Sequence, residues 1–96
     1  MPMNIRRIVL DVDKAMKRPE ITEIAEAIER VAGVQALNIT VTDIDIETVG
    51  TDITVEGEGI DHVALIEAID ATGAVVHSID QLATGDRLIE WVKRAR

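Results

Sequence analysis

The sequence contains no cysteine, and Trp91 is its single aromatic residue. Disulfides, thiolate metal ligands and cysteine nucleophiles are therefore excluded. The apolar runs are only a few residues long, so no segment is predicted to span a bilayer. The first residues also lack the apolar stretch of a signal peptide. We therefore expect a cytoplasmic protein with no membrane partner.

Basic residues are scarce over most of the chain. Residues 19–83 contain fourteen acidic residues and one basic residue, Arg30, whereas residues 1–18 and 84–96 carry net charges of +3 and +2. A nucleic-acid binder needs a basic surface, and a binder of single strands also needs aromatic platforms. Because this chain lacks both, no nucleic-acid partner is expected.

Hydrophobic periodicity predicts six elements and a tail. Period-two alternation and β-branched residues predict strands, with Gly50 at the turn between the second and third, over residues 4–13, 34–48, 51–57 and 74–83. Amphipathic spacing predicts one helix over 19–32 and another from the N-cap Asp61 to Gly73. Residues 86–96 are expected to form a short basic helix within a tail, 84–96. A chain of this length builds one core, so residues 1–96 are predicted to be a single domain.

The two halves of the chain echo each other, because EAIE precedes Gly33 and EAID precedes Gly73. The order βαββαβ predicts an α+β fold, the ferredoxin-like plait, with a four-stranded antiparallel sheet in the order 4-1-3-2 and two helices on one face. The other face must be solvated or covered by a partner. The predicted core consists of Ile8, Leu10, Val12, Ile24, Ile28, Val31, Ile39, Val55, Ile66, Ile69 and Ile79.

Several segments resemble one family over nearly the whole chain. They are RIVLD at residues 7–11, Gly33-Val34 with Asn38-Ile39, and Gly73 followed by His77-Ser78-Ile79-Asp80 and Ala83-x-Gly85. The chain is thereby similar to the archaeal domain of unknown function 211 family. The resemblance implies a ferredoxin-like fold, ring-shaped homo-oligomers and a bound divalent cation such as calcium. It implies no established activity.

Acidic residues recur at alternate positions in the second predicted strand. On an extended strand Asp43, Asp45 and Glu47 would form a row of carboxylates about 7 Å apart. The predicted fold brings Asp11 and Asp13 toward the same end of the sheet, and Ca²⁺ and Mg²⁺ prefer carboxylate oxygen. The alternative is a solvated edge that blocks aggregation. The candidate metal ligands are Asp11, Asp13, Asp43, Asp45, Glu47 and His77.

The remaining polar residues leave their roles open. His77 is either a structural histidine or a functional one, which would act as a ligand or as a base. Ser78 and Asp80 are expected on the strand face opposite His77, which argues against a Ser-His-Asp triad. Arg6 and Arg7 either pair with Glu56, Glu58 and Asp80 or bind an anion.

Three classes of function follow. The first is a homo-oligomeric binding module for a divalent cation, assembled head to tail with Trp91 and Leu88 as anchors. The second is an ACT-like sensor of an amino acid or metabolite, although Glu20 stands after Pro19 where that class has glycine. The third is an enzyme, for which no nucleophile–base pair is found and no catalytic residue is predicted.

Overall fold

The structure is a computed structural model that describes residues 3–94. Its elements are β1 (Ile5–Ala15), α1 (Ile21–Glu29), β2 (Val34–Ile44), β3 (Thr48–Gly57), α2 (His62–Ala71) and β4 (Val75–Thr84). The strands form one antiparallel sheet in the order β2-β3-β1-β4. This is the predicted ferredoxin-like plait. In the described part of the chain, neither helix has the length and apolarity needed to cross a membrane.

The two helices cover one face of the sheet, which we call the covered face. Alternation along β1 turns Ile8, Leu10 and Val12 toward the helices, where each is at most 1% exposed. They pack against buried side chains of α1 and α2, namely Ile24, Ile28, Leu65 and Ile69. The intervening residues of β1, such as Val9 and Asp11, lie on the opposite face, which we call the open face.

Acidic side chains cap the N-terminus of each helix. At α1, the backbone amide of Glu20 donates to Glu23 Oε1 at 3.2 Å. At α2, Asp61 Oδ1 accepts from the amide of Ala64 at 3.0 Å, as expected for an N-cap. The helix predicted over 19–32 is observed only from Ile21 to Glu29, because a turn follows in which the amide of Val31 donates to the carbonyl of Ile28.

Two glycines allow the loop after α1 to touch the end of β3. A Cβ atom on Gly57 would overlap the carbonyl oxygen of Gly33. Gly33 itself has a φ of 89°, and the same carbonyl accepts from the amide of Glu58 at 3.0 Å. Both positions therefore require glycine, one for close approach and one for a left-handed backbone.

The hairpin between β2 and β3 corrects the sequence prediction. The second strand ends at Ile44 rather than at residue 48, and the turn comprises Asp45, Ile46 and Glu47. The amide of Asp45 donates to the carbonyl of Thr48 at 2.8 Å, and Asp45 Oδ1 accepts from the amide of Ile46 at 2.7 Å. An aspartate side chain therefore makes the turn, whereas Gly50 lies inside β3.

The tail also differs from the prediction. No helix forms over residues 86–94, and residues 95 and 96 lie outside the described chain. The apolar side chains of this segment stay exposed, including Ile89, Trp91 and Val92 at 75–77%. An isolated helix this short is unstable in water without a surface on which to bury its apolar stripe.

The ladders that join the edge strands to the sheet are irregular, and Arg6 of β1 is skipped opposite β4, whereas the ladder of the central pair is regular. The β1–β3 ladder has no register shift. In β4, His77 and Asp80 are skipped in the pairing with β1, and in β2 Gln35 and Thr42 are skipped in the pairing with β3. These skipped residues are β-bulges.

The predicted core is largely confirmed, with one error. Eight of its residues are buried: Ile8, Leu10, Val12, Ile24, Ile28, Val31, Val55 and Ile69. Ile39 and Ile66 are only partly buried. Ile79 pairs with Leu10 but is 49% exposed on the edge strand, so its prediction as a core residue is wrong. The core residues that the pattern missed are Ile5, Val49, Ile53, Ile60, Leu65 and Ala74.

Candidate functional site

One end of the open face carries four carboxylates, Asp11, Asp13, Asp43 and Asp52, which we call the acidic end. Asp11 lies directly opposite Asp52 in the β1–β3 ladder. Asp13 and Asp43 both pair with Gly50, from its two sides. A Cβ at position 50 would lie 3.5 Å from Asp43 Cβ and 3.6 Å from Asp13 Oδ1. The glycine therefore leaves an open space between two carboxylate side chains.

The other three predicted ligands lie outside the acidic end. Asp45 and Glu47 belong to the β2–β3 turn, so the predicted row of three carboxylates along one strand is wrong. His77 is exposed in β4, on the other side of β1 from β3. Within residues 3–94, no group of three histidine, aspartate or glutamate side chains is arranged to hold a metal ion. A cation at the acidic end would need further ligands.

The sequence pattern does not indicate Asp52 as a candidate metal ligand. Asp52 lies on the exposed side of a strand that was predicted correctly, but its position opposite Asp11 depends on the register of two strands distant in sequence. The turn at residues 45–47, which the sequence predicts at Gly50, sets only the register of β2 against β3, whereas the pairing of β1 with β3 is not fixed by any hairpin. A turn assigned to Asp45 could have identified the pairing of Asp43 with Gly50, but not that of Asp11 with Asp52.

The opposite end of the open face is organised around Arg7. Its Nε donates to Glu56 Oε2 at 2.7 Å, and its Nη1 donates to Glu90 Oε1 at 2.7 Å. Gln81 Oε1 lies 3.5 Å from the same Nη1. The Arg7 side chain is only 16% exposed, so both ion pairs are partly shielded from water. We call Arg7, Glu56 and Gln81 the arginine site.

These contacts shift two pKa values. The hydrogen bonds that Arg7 donates to Glu90 first and to Glu56 second raise the pKa of Arg7, which therefore stays charged. The hydrogen bond from Arg7 lowers the pKa of the Glu90 carboxyl. The predicted pairing of the two arginines is confirmed, because Arg6 Nη1 also lies 3.4 Å from Glu58 Oε1. Charge-assisted contacts of this kind are stronger than neutral hydrogen bonds.

The tail beyond Gly85 runs beside the end of β4. Between them lies an open groove of about 1020 Å³, lined on the strand side by Gln81 and Leu82 and on the tail side by Ile89, Trp91 and neighbouring residues. Leu82 is 49% exposed. The tail therefore leaves apolar surface uncovered on both sides of the groove.

Comparisons with known proteins place the chain in a family. The model of the DUF211 family, described as uncharacterised ArCR, matches residues 6–96. The chain belongs to the DUF211 family. An uncharacterised protein of Methanocaldococcus jannaschii, MJ0319, is 39% identical over 89 residues, which cover 93% of this chain and 91% of that protein. The match to the DUF211 model includes both ends of the open face and the tail.

The geometry of this DUF211 protein does not assemble a Ser-His-Asp triad. Ser78 Oγ donates to Asp80 Oδ1 at 2.7 Å on the exposed edge strand. Within the described chain, His77 makes no side-chain hydrogen bond to either residue. Asp80 therefore bonds to Ser78 rather than to Arg6 or Arg7.

The segment before α1 differs from an ACT-type ligand loop. Glu20, which stands in place of the glycine, begins the helix, and its amide is occupied by the Glu23 side chain. Arg18 Nε also lies 2.9 Å from Glu23 Oε1. The amide of Glu20 first, and Arg18 second, lower the pKa of Glu23. The Glu20 amide and Arg18 are therefore already bonded within the chain.

Proposed function

We propose that this DUF211 protein is a cytoplasmic homo-oligomeric binding module without catalytic activity. The exposure of its apolar tail and apolar edge strand supports this proposal. Ile89, Trp91 and Val92 are 75–77% exposed, and Ile79 and Leu82 on β4 are each 49% exposed. Adjacent exposed apolar side chains mark an interaction surface. A buried tryptophan is also a frequent anchor at protein interfaces.

The charge distribution favours a second copy as the partner. Residues 19–83 are strongly acidic, whereas the tail has a net positive charge, with Lys93 and Arg94 directly after the apolar residues. A basic tail that binds the acidic body of the next copy makes a head-to-tail contact. Repetition of such a contact closes into a ring when the rotation between copies permits. A ring-shaped oligomer is therefore part of the proposal.

The ligand that we propose is a divalent cation such as Ca²⁺, bound at the acidic end. The directly opposed Asp11 and Asp52 repel each other, and a cation would relieve that repulsion. Asp13 and Asp43 flank the open space at Gly50. Water or a neighbouring copy would complete the coordination. Asp45, Glu47 and His77 lie outside the acidic end, and their role as metal ligands stays a prediction.

Two measurements on the full chain test the proposal. Light scattering should give a mass several times the 10.5 kDa of one chain. Calorimetric titration with Ca²⁺, Mg²⁺ and Mn²⁺ should give a heat of binding that is lost when Asp13→Asn is combined with Asp43→Asn. Asp80→Asn is the matched control, because it removes one carboxylate from β4 and should leave the heat unchanged.

Each measurement has an outcome that contradicts the proposal. A monodisperse 10.5 kDa species at high micromolar concentration would reject self-assembly. Undiminished binding in the double variant would remove the acidic end from the site. A rise in Tm with an amino acid but not with any cation would support the ACT-like sensor instead, since bound ligands stabilise the folded state by mass action.

A further inference from the structure

We propose that the tail is exchanged between subunits, so that Glu90 of one copy binds the arginine site of the next. This inference rests on the proposed self-assembly and identifies the contact that would join the copies. The arginine site and Glu90 would then be the receptor and the ligand of a repeated contact, with Leu82 and Trp91 buried beside them.

The tail is held to its own sheet by one polar contact. Among residues 86–94, Glu90 is the only residue with a hydrogen bond to the rest of the described chain, through Arg7. The Arg7 side of this ion pair is shielded, but the Glu90 side chain is 65% exposed and lies on an unattached segment, so ordering it costs entropy and the single pair adds little stability. The attachment seen within one chain is therefore weak enough to exchange.

The side chains around Glu90 lack an apolar environment within their own chain. Ile89 and Trp91 flank the glutamate directly and are each 75% exposed. When Glu90 binds the arginine site of another copy, the ion pair is the same, but the flanking residues can pack between two subunits. Exchange therefore adds apolar burial without the loss of a polar contact.

The chain is anchored at Gly85, immediately before the tail can change its path. Gly85 has a φ of 116°, and nothing lies within 4 Å of the position that a Cβ would occupy. Its amide donates to the Asn4 carbonyl at 2.9 Å, and its own carbonyl accepts from Asn4 Nδ2 at 3.0 Å. The end of β4 is thus fixed through residue 85, and the path can change from residue 86 onward.

The receptor is formed by the sheet independently of the tail. Glu56 holds Nε of Arg7, and the sheet shields most of the arginine side chain, so Nη1 remains in place for a carboxylate from either chain. Five extended residues from Gly85 to Glu90 span about 17 Å. Glu90 can therefore reach a neighbour that packs against β4.

Charge reversal separates binding within a chain from binding between chains. One chain carries Glu90→Arg, and a second, mass-tagged chain carries Arg7→Glu with Glu56→Gln to avoid a new repulsion. In each chain alone, positions 7 and 90 have like charges. In a mixture, opposite charges meet only between different chains. We expect each variant alone to be smaller than wild type and the equimolar mixture to recover the wild-type mass by native mass spectrometry.

Two controls give the outcomes their meaning. Asp86→Arg makes the same charge change in the tail at a residue without an ion pair in the described chain, and it should assemble like wild type. A chain with all three substitutions can pair within itself. If that chain assembles but the mixture does not, tail exchange is overturned and self-assembly stands. A monomeric wild type overturns both.

Disulfide trapping gives a measurement that keeps Arg7 and Glu90 intact. The chain has no natural cysteine, so Leu82→Cys with Ile89→Cys, on the two sides of the groove, reports only this contact. Exchange predicts a ladder of linked chains on a non-reducing gel, whereas Leu82→Cys alone gives at most a dimer. Linkage confined to single chains would overturn the exchange.

Discussion

The covered and open faces of the sheet come from the same strands but are stabilised differently. On β1, Leu10 is fully buried beneath the helices, whereas Val9 and Asp11 on the open face are only partly buried. Burial of apolar area provides most of the favourable free energy of folding, and exposed ion pairs add little. The covered face therefore determines the fold, which leaves the charged open face available for binding.

The sharpest test of this contrast uses adjacent residues of β1. Leu10→Ala should lower the free energy of unfolding by about 2–5 kcal/mol, because it leaves a cavity in the core. Val9→Ala on the open face should cost about 1 kcal/mol or less. Urea denaturation followed by circular dichroism measures both. Equal losses would show that the open face contributes as much to the fold as the covered face.

A second test compares two glycines of β3. Gly57→Ala should lower the free energy of unfolding by more than about 1 kcal/mol, because the new Cβ collides with the Gly33 backbone. Gly50→Ala on the open face brings its Cβ only into ordinary contact, and we expect a change within about 0.5 kcal/mol. A larger loss of unfolding free energy for Gly50→Ala would mean that the fold requires the space between Asp13 and Asp43 to stay unfilled.

A smaller effect of opposite sign is expected at the acidic end. Asp52→Asn removes the charge opposite Asp11 and should raise the free energy of unfolding by about 0.2–1 kcal/mol without added cations. The gain should shrink at high salt, which screens the repulsion. Glu67→Gln, on the exposed side of α2, is the control. An equal gain there would assign the effect to the net charge of −8 rather than to the opposed pair.

The smallest effect concerns the pH dependence of the tail. Because Arg7 lowers the pKa of Glu90, their ion pair is fully formed above the ordinary glutamate value of about 4.3. It is lost as pH falls through the lowered pKa. Trp91 fluorescence should therefore change below about pH 4.3, while the circular dichroism signal of the folded sheet and helices stays constant. The same fluorescence step in Glu90→Gln would show that another group controls the tail.

Periodicity predicted the order of elements and most of the covered face, because alternation and helical spacing directly record which side chains are buried. Ile79 is an exception, because it lies opposite the buried Leu10 but on an edge strand, where 49% of its surface stays exposed, and periodicity does not reveal which strand is at the edge. The hairpin was displaced because an aspartate side chain at Asp45, rather than Gly50, makes the turn.

The candidate site was less predictable than the fold. Asp11, Asp13 and Asp43 were correctly expected at one end of the sheet, which follows from the topology alone. The misplaced turn shifts the pairing of Asp43 with Gly50, whereas the pairing of Asp11 with Asp52 depends on the register of β1 against β3, two strands that no hairpin joins. The tail helix failed because its apolar stripe requires a surface that one chain does not provide.

The bulged edge strands limit how copies of this protein can associate. A flat, regular edge offers a row of free amides and carbonyls onto which further strands can add without end. Here Gln35 and Thr42 interrupt β2, and His77 and Asp80 interrupt β4, whereas the inner ladder is regular. The fold thus combines an exposed apolar tail with strand edges that are poor templates for fibre growth. A contact made through the tail therefore need not lead to precipitation.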